Sequence, residues 1–248
     1  YLARLHSCLF SKVPYGVLAH GYEIFKDETG KLNGVFKQAD TVICNSRYVQ
    51  RFISDKYKAS KIVQVYYPTV EFPRNLDLNS EASYKNSPGP GMAKNSMYVL
   101  TVGRMSKFER YKGHDEIIEA LPSIIERFPA TRFIFVGTGD DEDRLKRKSM
   151  AKGVSEYIDF KGEVSDRELA GLYNSADIFL MPSSGEGQGL VFLEAMQFSL
   201  PIIALRNSPA EELISHNESG RLLEQKTPEE ITASVCALLA EPDRMREI

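Results

Sequence analysis

Short apolar runs, rich in β-branched and aromatic residues, recur along the chain and alternate with amphipathic stretches. The runs YGVLAHG (15–21), TVICNS (41–46) and IVQVYYP (62–68) come first. SMYVLTVGR (96–104), RFIFVG (132–137), YIDFKG (157–162), IFLMPS (178–183) and PIIAL (201–205) follow. Runs of this length without polar alternation predict strands buried on both faces, as in a parallel sheet. Between them, His114 to Arg127 carries apolar residues at 117, 118, 121, 124 and 125, one stripe of a helix. Asp166 to Asn174 opens on a capping sequence, SDRE, and turns Leu169 and Leu172 inward. Gly189 to Gln197 and Pro228 to Leu239 complete the predicted helices. Strand–helix alternation of this kind predicts βαβ units and an α/β, doubly wound, Rossmann-like architecture.

One stretch breaks the rhythm. Residues 73–95 are polar and rich in Pro, Gly, Ser and Asn, the composition of a linker or exposed loop. It divides the chain into a truncated α/β unit, 1–72, and a fuller one, 96–248. With 248 residues and 42% hydrophobic content, two modest cores are affordable. The chain opens on Tyr1 rather than Met, inside a helix or loop rather than on a strand, and stops abruptly after a helix. The expectation is a fragment at both ends.

The net charge of −3 gives no reason to expect nucleic acid as a partner. Its distribution is uneven: residues 1–74 hold 11 Lys+Arg against 6 Asp+Glu, and the remainder 20 against 28. A basic first part suits peripheral contact with an anionic membrane or a phosphorylated acceptor; ordinary surface charge is the alternative. Cys8, Cys44 and Cys236 are too few and too scattered for a disulfide framework or zinc site and fit a reducing, cytoplasmic setting. No apolar run approaches the ~20 residues needed to span a bilayer.

Ligands of doubly wound sheets bind beyond the carboxyl ends of the strands, so the residues after each run carry the chemistry. In PSSGEGQGLVFLEAMQFSLPIIA, 182–204, Gly185, Gly187 and Gly189 let the backbone approach a ligand. Gly189 or Leu190 opens a helix whose free N–H groups and dipole favour an anion such as a diphosphate. Glu194, two turns in, is placed to accept from a ribose diol, and Glu186, in the loop, to meet sugar hydroxyls. In VLTVGRMSKFERYKGHDEIIEAL, 99–121, a strand ends in Gly103-Arg104, and Lys112-Gly113 precedes a helix. An Arg fork and a Lys point charge there can neutralise a diphosphate. Lys107 and Arg110 share the same polar loop and are set aside. In FVGTGDDEDRL, 135–145, Gly137 and Gly139 lack the third glycine of a dinucleotide fingerprint, which argues against NAD and a dehydrogenase. Asp141-Glu142-Asp143 has the D-x-D form of a metal site, yet it begins a helix, where acidic residues are favoured by the dipole. A lone His20 at a strand end is more often structural, and Ser46 is read as the cap of the next helix.

Residues 182–204 resemble the E-x7-E segment of the family-4 glycosyltransferases, with Glu186-Gly187-Gln188-Gly189-Leu190 leading to Glu194-Ala195-Met196. The resemblance implies the two-domain GT-B fold, 1–72 being acceptor-side and 96–248 donor-binding. It also implies a retaining transfer from a UDP- or GDP-linked sugar to a hydroxyl acceptor, without cofactor or metal. By that match Glu194 binds ribose and Glu186 contacts the transferred sugar. Gly187, Gln188, Gly189 and Leu190 offer backbone groups, and Arg104 and Lys112 match the family's phosphate-binding pair after Gly103. Gly137 lies near the donor; Phe160 and Val164, in DFKGEV, neighbour the base. His20, in an H-G-x-E segment with Glu23, faces the reacting sugar or the acceptor. Phe198-Ser199 stands where the family often has Cys-Gly, and Ser208-Pro209 before Glu211-Glu212 only loosely matches its later Gly-Gly. The rival expectations are a nucleotide-sugar-binding module that transfers nothing and a sugar-nucleotide epimerase on the same architecture.

Overall fold

In a computed structural model of the protein, residues 14–58, 63–70 and 96–241 are described. The expected linker, Cys8 and the side chain of Glu23 lie outside the described residues. The chain forms two compact units: Tyr1–Thr69 with Gly185–Gly189, and Val70–Ser184 with Leu190–Ile248. The segment 185–189, allotted by the sequence to the second domain, thus groups with the first unit.

In the first unit, β1 (Gly16–Ala19), β2 (Thr41–Cys44) and β3 (Val63–Val65) pair in parallel in that order. Two short helices, α1 (Tyr22–Phe25) and α2 (Asn33–Gln38), lie between β1 and β2, and α3 (Arg47–Tyr57) follows β2. Val42 and Cys44 from β2 bury against Val49, Ile53 and Tyr57 of α3 and Phe36 of α2. Ser46 caps α3, its Oγ accepting from the Val49 N–H at 3.1 Å, as its position before the helical pattern predicts. Buried Asp27 accepts from the N–H groups of Lys31 and Leu32 and from the Tyr57 hydroxyl, so the turn before α2 leaves no carboxylate oxygen stranded.

The second unit holds β4 (Met97–Val102), α4 (His114–Arg127), β5 (Thr131–Val136), α5 (Glu142–Ala151), β6 (Ile158–Gly162), α6 (Asp166–Ser175), β7 (Ile178–Met181), α7 (Leu190–Gln197), β8 (Ile202–Leu205), β9 (Gly220–Leu223) and α8 (Pro228–Leu239). Its six strands are parallel in the order β6-β5-β4-β7-β8-β9. Both sheet faces are covered, which is why the strands read as unbroken apolar runs. Val99 of β4 packs with Ile117, Ile118 and Leu121 of α4, while Tyr98 and Leu100 point the other way, to Leu172, Tyr173 and Phe192. Thr101 Oγ1 donates to the Leu180 carbonyl at 2.7 Å, so the buried threonine hydroxyl inside β4 stitches it to β7.

The fold class is therefore α/β, with Rossmann-like parallel sheets. Strand order reverses between β4 and β7, and the crevice beyond their carboxyl ends is where this architecture takes ligands. Strand β9 was absent from the sequence expectation: GRLL begins on Gly, carries Arg221 and offers only Leu222 and Leu223 to the core.

Candidate functional site

At the end of β4 the backbone turns sharply. The Gly103 N–H donates to the Val136 carbonyl at 2.9 Å and that of Met105 to the Thr138 carbonyl at 3.0 Å. Gly137 follows β5 with φ +123°, and a Cβ there would lie 2.3 Å from the Gly103 carbonyl oxygen. Only glycine accepts both the positive φ and the contact. Gly137 thus brings the ends of β4 and β5 into backbone contact.

A 3-10 turn, Arg110–Lys112, then leads into α4. The Ser184 N–H, just beyond β7, donates to the Tyr111 carbonyl at 3.1 Å. The turn after β4 is thereby tied to the segment leaving β7, at the strand-order reversal. Lys112 is buried, and its stem lies along Gly103: Cδ is 3.1 Å and Nζ 3.8 Å from where a Gly103 Cβ would be. Its Nζ also sits 5.5 Å from the centroid of the Tyr111 ring. Sequence reasoning placed a cation here; the structure adds that its stem is desolvated against backbone, which orients it.

Arg104 behaves differently. Its side chain is 75% exposed and hydrogen-bonded to Glu109, whose side chain is 6% exposed. Glu109 Oε2 is buried and has no hydrogen-bond partner. Lys107 pairs with Asp140 at 3.2 Å, and Arg110 with Asp141 at 3.0 Å.

The acidic string has a structural account. Asp141 is buried and accepts from Arg110 and, at 2.8 and 2.6 Å, from Arg144, which in turn spans to Asp115 at 2.7 Å. Bonds from Arg144 hold the Asp141 carboxyl below the usual carboxylate range, more than burial raises it. Glu142 pairs with Lys146 at 2.7 Å. Among the described residues no group of three or more His, Cys, Asp or Glu side chains is arranged to hold a metal ion.

His114, the first residue of α4, is buried, edge-on to Phe135 at 5.3 Å between ring centroids, and its Nε2 has no hydrogen-bond partner. Burial, and secondly the Lys112 charge, push its pKa down to about 4, against the smaller pull of Asp115 and Asp141. The imidazole is neutral at physiological pH.

Beyond β7, Leu190 begins α7 and is exposed; Gly189, with φ +74°, precedes it. Glu194 sits just over one turn in, half-buried. Its Oε2 accepts from the Tyr173 hydroxyl at 2.7 Å, and Tyr173 is fully buried in α6. Burial raises the Glu194 carboxyl above its ordinary value, the Tyr173 bond draws it back down, and Asp166 adds an upward push. Phe160 is partly buried, its ring edge-on to Phe135 at 5.4 Å with the Lys146 ammonium 5.6 Å from its centroid. Val164 packs against the cluster that contains Leu172 and Tyr173.

The remaining expected site residues fall in the first unit. His20 is exposed at the end of β1, and its carbonyl accepts from Asn45 Nδ2 at 3.0 Å. A Cβ on Gly187 would lie 1.4 Å from that same carbonyl oxygen. The Ser46 hydroxyl, while capping α3, donates to the Gly187 carbonyl at 2.6 Å. Glu186 is half-buried; Gln188 is buried, with Oε1 lacking a partner. Sequence reasoning missed Tyr173, Glu109 and His114. The available signals were a tyrosine on the inward stripe of α6 and a histidine directly after Lys112-Gly113.

A family model described as glycosyl transferases group 1 matches residues 85–248. The chain is 33% identical over 210 residues to the GDP-mannose-dependent alpha-(1-6)-phosphatidylinositol monomannoside mannosyltransferase of Mycobacterium tuberculosis, covering 79% of this chain and 54% of that protein. It is 27% identical over 205 residues to an uncharacterized glycosyltransferase of Haemophilus influenzae, covering 82% and 53%. Among solved structures, sucrose-phosphate synthase from Thermosynechococcus elongatus superposes with a TM-score of 0.78 at 17% identity, over 99% of this chain and 63% of that one. Anabaena Alr3699/HepE in complex with UDP and glucose superposes with a TM-score of 0.75 at 19% identity, over 98% and 66%. At these identities the structural likeness concerns the fold. The chain spans about half the length of the curated relatives it matches. Among the described residues no helix is long and apolar enough to cross a membrane.

Proposed function

The chain belongs to the group 1 glycosyl transferases, with the GT-B fold, and on that premise we propose that it works in a retaining transfer of a sugar from a nucleoside diphosphate carrier to a hydroxyl acceptor. The observation that carries the reading is Lys112: a lysine buried at the reversal of strand order, aligned on Gly103 and tied through Tyr111 to the segment leaving β7. An ammonium fixed beyond two parallel strand ends suits a diphosphate.

The barrier to transfer is charge, because the sugar ring becomes cation-like as the diphosphate gathers negative charge. Lys112 and the free N–H groups at the start of α7 stabilise that developing charge without reorganising, and Arg104 joins them. Arg104 exchanges Glu109 for the phosphate as the donor enters. The acceptor oxygen bonds to the anomeric carbon on the face from which the diphosphate departs, and the leaving phosphate oxygen takes the acceptor's proton. Glu194 accepts from the ribose hydroxyls. Glu186, His20, Gln188 and the backbone of Gly187 and Gly189 serve the sugar side; Gly137, Phe160 and Val164 lie toward the base. The protein supplies the positive charge itself, so no metal or cofactor enters the step. The cytoplasm is the expected setting, with the basic first part of the chain suited to an anionic membrane surface. GDP-mannose is the donor named for the mycobacterial relative, and UDP accompanies the HepE complex; these are the two carriers to try first.

Calorimetric titration of the chain with UDP, GDP, ADP and NAD tests the reading. One nucleoside diphosphate binds, and Glu194→Ala weakens it about tenfold, the ~1.4 kcal/mol of a charged hydrogen bond. Equal affinity for NAD, or no loss in the variant, would overturn it. Donor consumption without transfer to any acceptor would favour the epimerase alternative.

A further inference from the structure

We infer that Tyr173 is a positioning residue for the donor's ribose: its hydroxyl engages one oxygen of Glu194 and fixes the carboxylate so that the other is presented to the diol. This rests on the assignment of Glu194 to the ribose in the proposed function. The geometry is specific. Tyr173 is fully buried, and its ring is stacked on Phe198 at 5.6 Å and 9°, and tilted against Phe179 at 5.8 Å. Packing therefore helps hold the ring, and the phenol is delivered to Glu194 Oε2 at 2.7 Å by a rigid frame. Glu194 Oε1 has no protein partner among the described residues. A carboxylate just over one turn into α7 can rotate about its own torsions, and one bond from a locked phenol removes most of that freedom.

The same bond governs ionisation. Burial, first, and the Asp166 charge favour the neutral acid, whereas the Tyr173 donor favours the anion that a diol needs. Tyr173 and Asp166 are the titratable groups that act on Glu194. Removing the phenol should loosen the carboxylate and raise its pKa together.

The test is calorimetry of the wild-type chain, Tyr173→Phe and Glu194→Gln with UDP and GDP and with their 2′,3′-dideoxy forms, across about two pH units either side of neutrality. Tyr173→Phe is expected to weaken the preferred ribonucleotide about fivefold to tenfold. It should leave the dideoxy form within about twofold and move the acid limb of ribonucleotide binding to higher pH. Wild-type affinity and an unmoved acid limb in Tyr173→Phe, with Glu194→Gln impaired, would overturn the inference and leave the donor reading standing. If Glu194→Gln also keeps the preference for ribose over dideoxyribose, or no nucleotide binds the wild type, the ribose assignment fails and the inference with it. The Tyr173 hydroxyl proton, followed by NMR in the wild type, gives a readout independent of any variant. Its hydrogen-bonded resonance persists with nucleotide bound; its disappearance on binding would count against the inference.

Discussion

The side chain of Lys112 runs against the backbone of Gly103, its Cδ 3.1 Å from the position a Cβ would occupy there. That spacing is tighter than ordinary contact, so a single methyl at 103 pushes the stem aside by a few tenths of an ångström. Gly103→Ala is expected to lower affinity for UDP or GDP by about twofold to tenfold while sparing the corresponding monophosphates. Calorimetry on the four nucleotides decides it, and an equal loss for monophosphates would detach Lys112 from the diphosphate.

The neutral state of His114 makes the second unit sensitive to acid. Its folded pKa, about 4, lies below the ordinary 6.5, so the contribution to stability is present above 6.5 and is lost as pH falls through 4. The full effect is on the order of 3 kcal/mol. Thermal unfolding of wild type and His114→Phe between those values should converge toward acid, the variant losing less stability than the wild type.

Gly187 is held by an atom, not by a dihedral angle. A Cβ would overlap the His20 carbonyl oxygen, which already accepts from Asn45. Gly187→Ala is expected to destabilise the first unit by about 1–3 kcal/mol, seen as a lower melting temperature and faster proteolysis within 185–189.

The acidic string 141–143 gives an opposite pair of expectations. Because Asp141 is engaged by Arg110 and Arg144, chelation with EDTA should leave nucleotide affinity unchanged. Asp141→Asn should instead cost roughly 1–3 kcal/mol of stability through lost charge-assisted bonds. A chelator-dependent affinity would overturn the structural account of the string.

The strands were legible because burial on both faces writes itself as unbroken apolar runs. Each of the eight anticipated strands lies at its expected place, while the four-residue β9, with Arg221 in it, was too short to register. Long helices such as α4 were legible by their stripe; α2, of six residues, was not. Motif residues were legible at the level of chemistry only. The sequence marks Arg104 and Lys112 as two cations of one loop, but exposure separates them: Lys112 is packed, and Arg104 is answered by Glu109. Tyr173 was hidden because its partner is 21 residues away on another helix, and no local pattern records which inward tyrosine meets which glutamate.

The reversal of strand order also sets a timetable. Strand β4 is the first of its sheet to leave the ribosome, yet it pairs with β7, and two bonds across that seam, Tyr98 N–H to Asp177 and Thr101 Oγ1 to the Leu180 carbonyl, span 79 residues. Until the chain has been made that far, one edge of β4 stands unpaired with Val99 and Leu100 in it. Folding of this unit is therefore slow and dominated by distant contacts. The nascent protein passes through an interval in which its central strand is open to capture by other chains.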